Sequence, residues 1–257
     1  MASEEIRGYW ENRLKKKFDI DGTGHISFNY KYNFYVYKAY VRALKKAIKR
    51  LGIEIKDKKV LDVGCGTGFW VEFYKNHGAG SVAGIDVTEK SILEMRKRYP
   101  FYHFERIDIS KERLDRMGKF DIIHAFDVLY YILEEDGFDR AISYISEIAE
   151  KNSYIFITGL FLDLFPQTGV LYSKHRCYKR YKDALEMNGI KIIDSIPVTY
   201  LLKKPIPFQN LYSNIKWQLS KLHINLEGII GMLFYLIDGL VMSHKRADTK
   251  LIVCIKN

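Results

Sequence analysis

Val60-Leu61-Asp62-Val63-Gly64-Cys65-Gly66-Thr67-Gly68 runs an apolar strand into a glycine turn and then into a helix. Alternate glycines let a bulky ligand approach the main chain and supply the backbone angles a tight turn needs. The helix beyond adds amide donors and the positive end of its dipole. The spacing Gly-x-Gly-x-Gly differs from the Gly-x-Gly-x-x-Gly of dinucleotide sites. Asp62, just ahead of the glycines, repels a pyrophosphate and suits a ligand with a cationic end. Asp86 stands 22 residues after Gly64, with Val87 beside it. An acid there can accept both hydroxyls of a ribose. Asp108 with Ile109, and then Asp127 with Tyr130 and Tyr131, complete a series of acids that each follow a strand-like segment.

Such acids need a scaffold that gathers strand ends. Residues 59–63, 81–86, 102–108, 120–126 and 154–158 read as strands. Residues 69–76, 88–99 and 136–150 read as helices, with Thr88 as an N-cap and Pro100 as a stop. Alternation of this kind predicts parallel βαβ units in a doubly wound sheet, where ligands lie beyond the carboxyl ends of the strands. A further helix over 174–188 stops at Gly189. Residues 190–196 and 250–256 read as two final strands, seven in all.

The glycine turn with its leading acid resembles motif I of class I S-adenosylmethionine-dependent methyltransferases, whose ligand carries an ammonium and a sulfonium. Asp86, Asp108 and Asp127-Val128-Leu129-Tyr130-Tyr131 follow in the family's order at fitting distances, over about residues 58–200 and the last strand. The resemblance implies that family's α/β fold: a doubly wound, mostly parallel seven-stranded sheet. An N-terminal aromatic helical cap and a C-terminal helical insertion before the last strand are added to it here. It implies S-adenosylmethionine as cofactor, S-adenosylhomocysteine as product, and no metal. The implied cofactor contacts are Asp62, Gly64, Cys65, Gly66, Gly68, Asp86, Val87, Asp108, Ile109 and Asp127.

Methyl transfer is an in-line displacement, so the acceptor's lone pair must be aligned and water kept out. Many small-molecule members of the family read Asp-Val-Leu-His-His after the fourth strand, where a histidine can act as base. Here both histidine positions are tyrosine. Asp127 and Tyr130 keep the outer residues, without the prolines, of the Asp-Pro-Pro-Tyr motif of amino-directed nucleic-acid methyltransferases. In that motif the acid accepts an exocyclic amine and the ring stacks on the base. Asp127 and Tyr130 are therefore the expected catalytic pair, and the expected acceptor is an exocyclic amino nitrogen of a base in rRNA or tRNA. The alternative is a small-molecule or sugar O- or N-methyltransferase with a lidded pocket, in which Asp127 or His25 acts as base.

Charge favours the RNA partner. Residues 1–60 carry 15 Lys and Arg against 7 Asp and Glu, a net +8; residues 61–171 carry 12 against 18; residues 172–257 carry 14 against 6, again +8. Basic flanks around an acidic centre suit a polyanion or a membrane surface. The aromatic stretch 28–35, ahead of an expected helix over 37–50, reads as part of a cap. Tyr9, Trp10, His25, Tyr30, Tyr32, Asn33 and Tyr131 are the expected lid or substrate residues.

The expected units are a cap over 1–50, a cofactor-binding core over 51–200, a helical insertion over 201–246 and the final strand over 247–257. The insertion is a lid or a homodimer contact. Its apolar segment 226–242 holds two acids and three glycines, a poor membrane span, so no stable insertion is expected. Three scattered cysteines and an N-terminus without an apolar signal region fit a reducing, cytoplasmic setting. Residues 19–27 match the start of a calcium loop, but the twelfth position, which needs a bidentate acid, is Tyr30.

Overall fold

A computed structural model describes residues 2–161, 172–203, 218, 225–241, 243, 247 and 249–257. The larger part of the expected insertion, with Pro205, Pro207, His223 and His244, lies outside the described residues.

Seven strands form one sheet: β1 (Lys59–Val63), β2 (Ser81–Asp86), β3 (His103–Arg106), β4 (Phe120–Ala125), β5 (Ala149–Leu160), β6 (Ile190–Thr199) and β7 (Thr249–Lys256). Their order is β3-β2-β1-β4-β5-β7-β6. The first five are parallel, and β7 runs antiparallel to both β5 and β6. Strand order reverses between β1 and β4, which opens a crevice at their carboxyl ends, where ligands of open α/β sheets bind. Val60, Val63, Ile85, Ile122, Ile123 and Ile155 are buried, as a sheet covered on both faces requires.

The helices are α1 (Ala2–Lys16), α2 (Ile20–Thr23), α3 (Tyr30–Leu51), α4 (Phe69–Asn76), α5 (Glu89–Arg98), α6 (Glu135–Ile148), α7 (Tyr178–Met187) and α8 (Leu226–Val241). Thr88 caps α5, accepting from Ser91 N–H. The helix expected over 37–50 starts seven residues earlier. Asn29 caps it by accepting from Tyr32 N–H, and Gly52 ends it in the left-handed region. The aromatic stretch is therefore helical from Tyr30 on, and each turn of the helix sends one or two residues inward. Val36, Ala39, Tyr40, Ala43, Leu44 and Ala47 join the core on one face of the sheet.

The expected cap over 1–50 thus divides. α1 and α2 lie over the strand ends, while α3 packs on β6 and β7 and belongs to the sheet's own helical layer. The helix expected over 174–188 is shortened at its start. Arg176, 3% exposed, is held in an extended segment by the carbonyls of Ile132 (2.8 Å) and Glu134 (3.3 Å) and by Glu135 (3.1 Å).

Candidate active site

The glycine turn lies at the crevice. Gly64 and Gly66 have φ of 74° and 48°. A Cβ on Gly64 would stand 2.4 Å from Val128 Cγ2, and one on Gly66 would stand 3.0 Å from Thr23 Cγ2. The turn is thus pressed between the segment after β4 and α2, and a side chain has no room there. Gly68, also left-handed, starts α4 and faces Met95 of α5; it is not on the cavity wall.

Asp86 accepts from Gly66 N–H (2.9 Å), Thr88 N–H (2.8 Å) and the Thr88 hydroxyl (2.6 Å), so the acid at the end of β2 holds the glycine turn in shape. Burial raises its pKa above the usual carboxylate value, against those hydrogen bonds. Asp62 is buried behind the turn, and its Oδ2 has no hydrogen-bond partner. Burial, then the nearby Asp86, raises its pKa strongly. An unsatisfied buried carboxylate is costly, and a cationic group removes the cost. Asp108 receives Ser110 N–H (3.0 Å) and the Ser110 hydroxyl (2.6 Å), and the hydroxyl of Ser3 in α1 also donates to it.

A cavity of about 700 Å³ opens from this turn. Gly64, Cys65, Gly66, Asp86, Val87, Asp108 and Ile109 line one end. Tyr9, Trp10, His25, Asp127, Tyr130, Tyr131 and His175 line the rest. α1 forms its roof. Tyr9 stacks on Tyr172 at 5.0 Å, and Trp10 meets Tyr131 edge-on at 5.1 Å. Arg13 locks α1 to the next segment by donating to the carbonyls of Asp21 (2.9 Å) and Gly24 (2.8 Å).

Three expected lid residues are elsewhere. Tyr32 is buried on the inner face of α3, stacks on Phe28 at 3.9 Å and donates its hydroxyl to Leu202 O. Asn33 is fully buried and accepts from His25 N–H while donating to Asp21 Oδ1, so it braces the loop rather than facing a ligand. Tyr30 is exposed at the start of α3 and is not on the cavity wall. Position along the helix sets this outcome: Tyr32 and Asn33 share a face with Val36, three to four residues on, but lie one turn short of the wall, which α3 first reaches at Val36.

Asp127 is occupied by the protein itself. Its carboxylate accepts from Tyr40 (2.6 Å), Lys203 (3.0 Å) and the Thr158 hydroxyl (3.1 Å). Tyr130 is a wall residue whose ring lies 5.3 Å from His175. His175 is a functional candidate that the sequence reading passed over. Its Nδ1 is buried without a partner, and its pKa is lowered by burial and then by Lys203, which favours the neutral ring. The expected helix over 174–188 hid it; the signal in the sequence is the basic run Lys174-His175-Arg176, which the structure pins as an extended strap. His25, the histidine singled out from sequence, also lines the cavity, with a pKa lowered by burial.

A methyltransferase domain model matches residues 35–194, well over half of the chain. The chain belongs to the methyltransferase domain family. Its sheet order is that of the class I S-adenosylmethionine-dependent methyltransferase fold. Protein arginine N-methyltransferase 1 of Saccharomyces cerevisiae is 37% identical over 134 residues, 50% of this chain and 35% of that protein. A tRNA U34 carboxymethyltransferase of Pasteurella multocida is 31% identical over 161 residues, 61% of this chain and 47% of that protein. The chain thus covers less than half of either relative. Among solved structures, magnesium protoporphyrin IX methyltransferase of Synechocystis with bound S-adenosylmethionine has a TM-score of 0.59 at 14% identity, covering 100% of this chain and 98% of that one. At that identity the likeness is one of fold.

The residues at the glycine end fit S-adenosylmethionine: Asp86 could hold a ribose diol and Asp108 with Ile109 a base, while Asp62, whose Oδ2 has no partner, lies behind the turn and is not on the cavity wall. Among the described residues, no group of three His, Cys, Asp or Glu could hold a metal, and no helix is long and apolar enough to cross a membrane.

Proposed function

We propose that this methyltransferase acts on a hydroxyl, or an amine, of a small planar acceptor enclosed in the aromatic half of the cavity. The observation that carries the reading is His175, whose pKa burial lowers, in the cavity wall beside Tyr130. S-adenosylmethionine supplies an electrophilic methyl group when bound. The neutral imidazole takes the proton of an acceptor hydroxyl, a step that such a base accelerates by about 10²–10⁴. Tyr9, Trp10, Tyr130 and Tyr131 offer faces and edges for a flat ring. The roof of α1 keeps water from the reacting atoms. Asp127, fastened to Tyr40, Lys203 and Thr158, serves to hold the wall rather than to accept a substrate amine.

A second reading keeps the RNA base as acceptor. The tRNA U34 carboxymethyltransferase relatives and the two basic flanks favour it. Transfer of labelled methyl from S-adenosylmethionine separates the two. Counts in small phenolic and heteroaromatic compounds, extractable into organic solvent, support the first reading. Counts confined to acid-precipitable total tRNA or rRNA overturn it. Free Cys65, Cys177 and Cys254 fit a reducing, cytoplasmic setting.

A further inference from the structure

The outward face of α8 is apolar from end to end. Ile229, Met232, Leu233, Leu236, Ile237 and Leu240 are exposed, Leu240 to 87%. The two acids of the helix point the other way. Asp238 is fully buried and accepts from the N–H groups of Tyr200 (3.1 Å) and Leu201 (2.9 Å). Glu227, also buried, accepts from Asn29 N–H at 3.1 Å. An ordinary surface helix turns its polar side to water; this one uses its charges to hold itself to the body. A continuous exposed apolar face of this kind marks an interaction surface.

α3 runs beside it. Lys38 Nζ lies 5.4 Å from the Tyr235 ring, and Arg42 donates to the Tyr235 carbonyl at 3.0 Å. α3 carries seven Lys and Arg and no Asp or Glu. Helical spacing sets Lys31, Lys38, Lys45 and Lys49 on one stripe. All four are exposed. Of the seven basic residues only Arg50 meets a carboxylate among the described residues, that of Asp194 at 3.4 Å.

We propose that α8 and the lysine stripe of α3 form a docking surface for an anionic lipid membrane, with α8 lying in the plane of the headgroups. At about 1.5 Å per residue, the 16 residues of α8 fall short of the roughly 30 Å hydrocarbon core. The helix therefore rests on the bilayer and does not cross it. Its leucines enter the acyl boundary, and the lysines beside it meet anionic headgroups. The sequence of α8 by itself lacks the basic face such helices carry; the fold provides that face from α3. A second copy of the chain is the poorer occupant, since a two-fold contact sets each lysine stripe near its own copy with no acid to match.

The test is flotation of the full chain with phosphatidylcholine vesicles, with and without phosphatidylglycerol. The expected result is at least about tenfold more protein on the anionic vesicles, released by added salt as screening predicts. The double variant Leu236→Asp with Leu240→Asp changes exposed positions only; it is expected to lose this binding about tenfold with an unaltered circular dichroism spectrum. Lys45→Glu with Lys49→Glu is expected to weaken it at least tenfold, each basic residue near an anionic surface contributing about fivefold. No binding to either vesicle overturns the proposal. So does a dimer seen by sedimentation that the leucine variants dissolve, which would assign the face to a second copy.

Discussion

Tyr40 donates its hydroxyl to Asp127 across 2.6 Å, tying α3 to the segment after β4. Burial, followed by the charge of Asp127, lifts the pKa of Tyr40 well above that of an ordinary phenol, so it stays protonated and remains a donor. Asp127 holds a φ of 56°, in the left-handed region that residues with a side chain seldom occupy. Lys203 and Thr158 fasten the same carboxylate from two further elements.

Replacing Asp127 with Ala leaves three donors without their acceptor. Urea unfolding is expected to show a loss of about 2–3 kcal/mol, against about 1.5 kcal/mol for Tyr40→Phe, which removes only one of the hydrogen bonds to the carboxylate. An unchanged midpoint in Asp127→Ala, with turnover abolished, would return this carboxylate to the role of acceptor ligand.

Asp86→Ala removes the acceptor of Gly66 N–H and of Thr88, and with it the acceptor proposed for the ribose. Charged hydrogen bonds of this kind contribute about 1.5–3 kcal/mol. Calorimetry is expected to show S-adenosylmethionine affinity falling about tenfold or more. Wild-type affinity would remove Asp86 from the cofactor site.

His175 sets the expected pH profile. Its pKa in the folded chain is lowered from the usual value by burial and then by Lys203, which favours the neutral, proton-accepting form. kcat/KM is expected to be flat above about pH 6.5 and to fall on the acid side, below the ordinary imidazole value. His175→Ala should abolish that limb and lower kcat about 10²–10⁴-fold, with cofactor affinity unchanged. An unaltered acid limb in His175→Ala would point to His25 as the base.

Stability should fall on mild acidification for a separate reason. His124 is fully buried inside β4, bonded to the Tyr74 hydroxyl through Nδ1 at 2.9 Å, and burial lowers its pKa well below 6.5. The unfolded chain then binds a proton that the folded chain refuses. This contribution to stability is full above the unfolded value and is lost as pH falls below it. Thermal midpoints between pH 7 and pH 5 should decline less in His124→Phe than in the parent chain. Parallel declines would place the acid sensitivity elsewhere.

Much of this molecule is legible residue by residue. The glycine turn, the acids after β2 and β4 and the seven strands follow from local patterns, because apolar runs set strands and positive-φ turns select glycine. The cofactor family rests on those same residues. The walls of the acceptor site do not. Tyr32 and Asn33 sit on the same helix as Val36, Tyr37 and Tyr40, which reach the cavity, and only the packing of α3 on β6 and β7 decides which of them do. His175 joins the site because Arg176 pins a distant strap beneath the turn after β4. The acids of α8 make its sequence look unfit for a surface, until their partners at Asn29 and at Tyr200 and Leu201 show that both are turned inward. Secondary structure answers to neighbours along the chain. The facing of a side chain answers to partners far along it, and those exist only once the chain has folded.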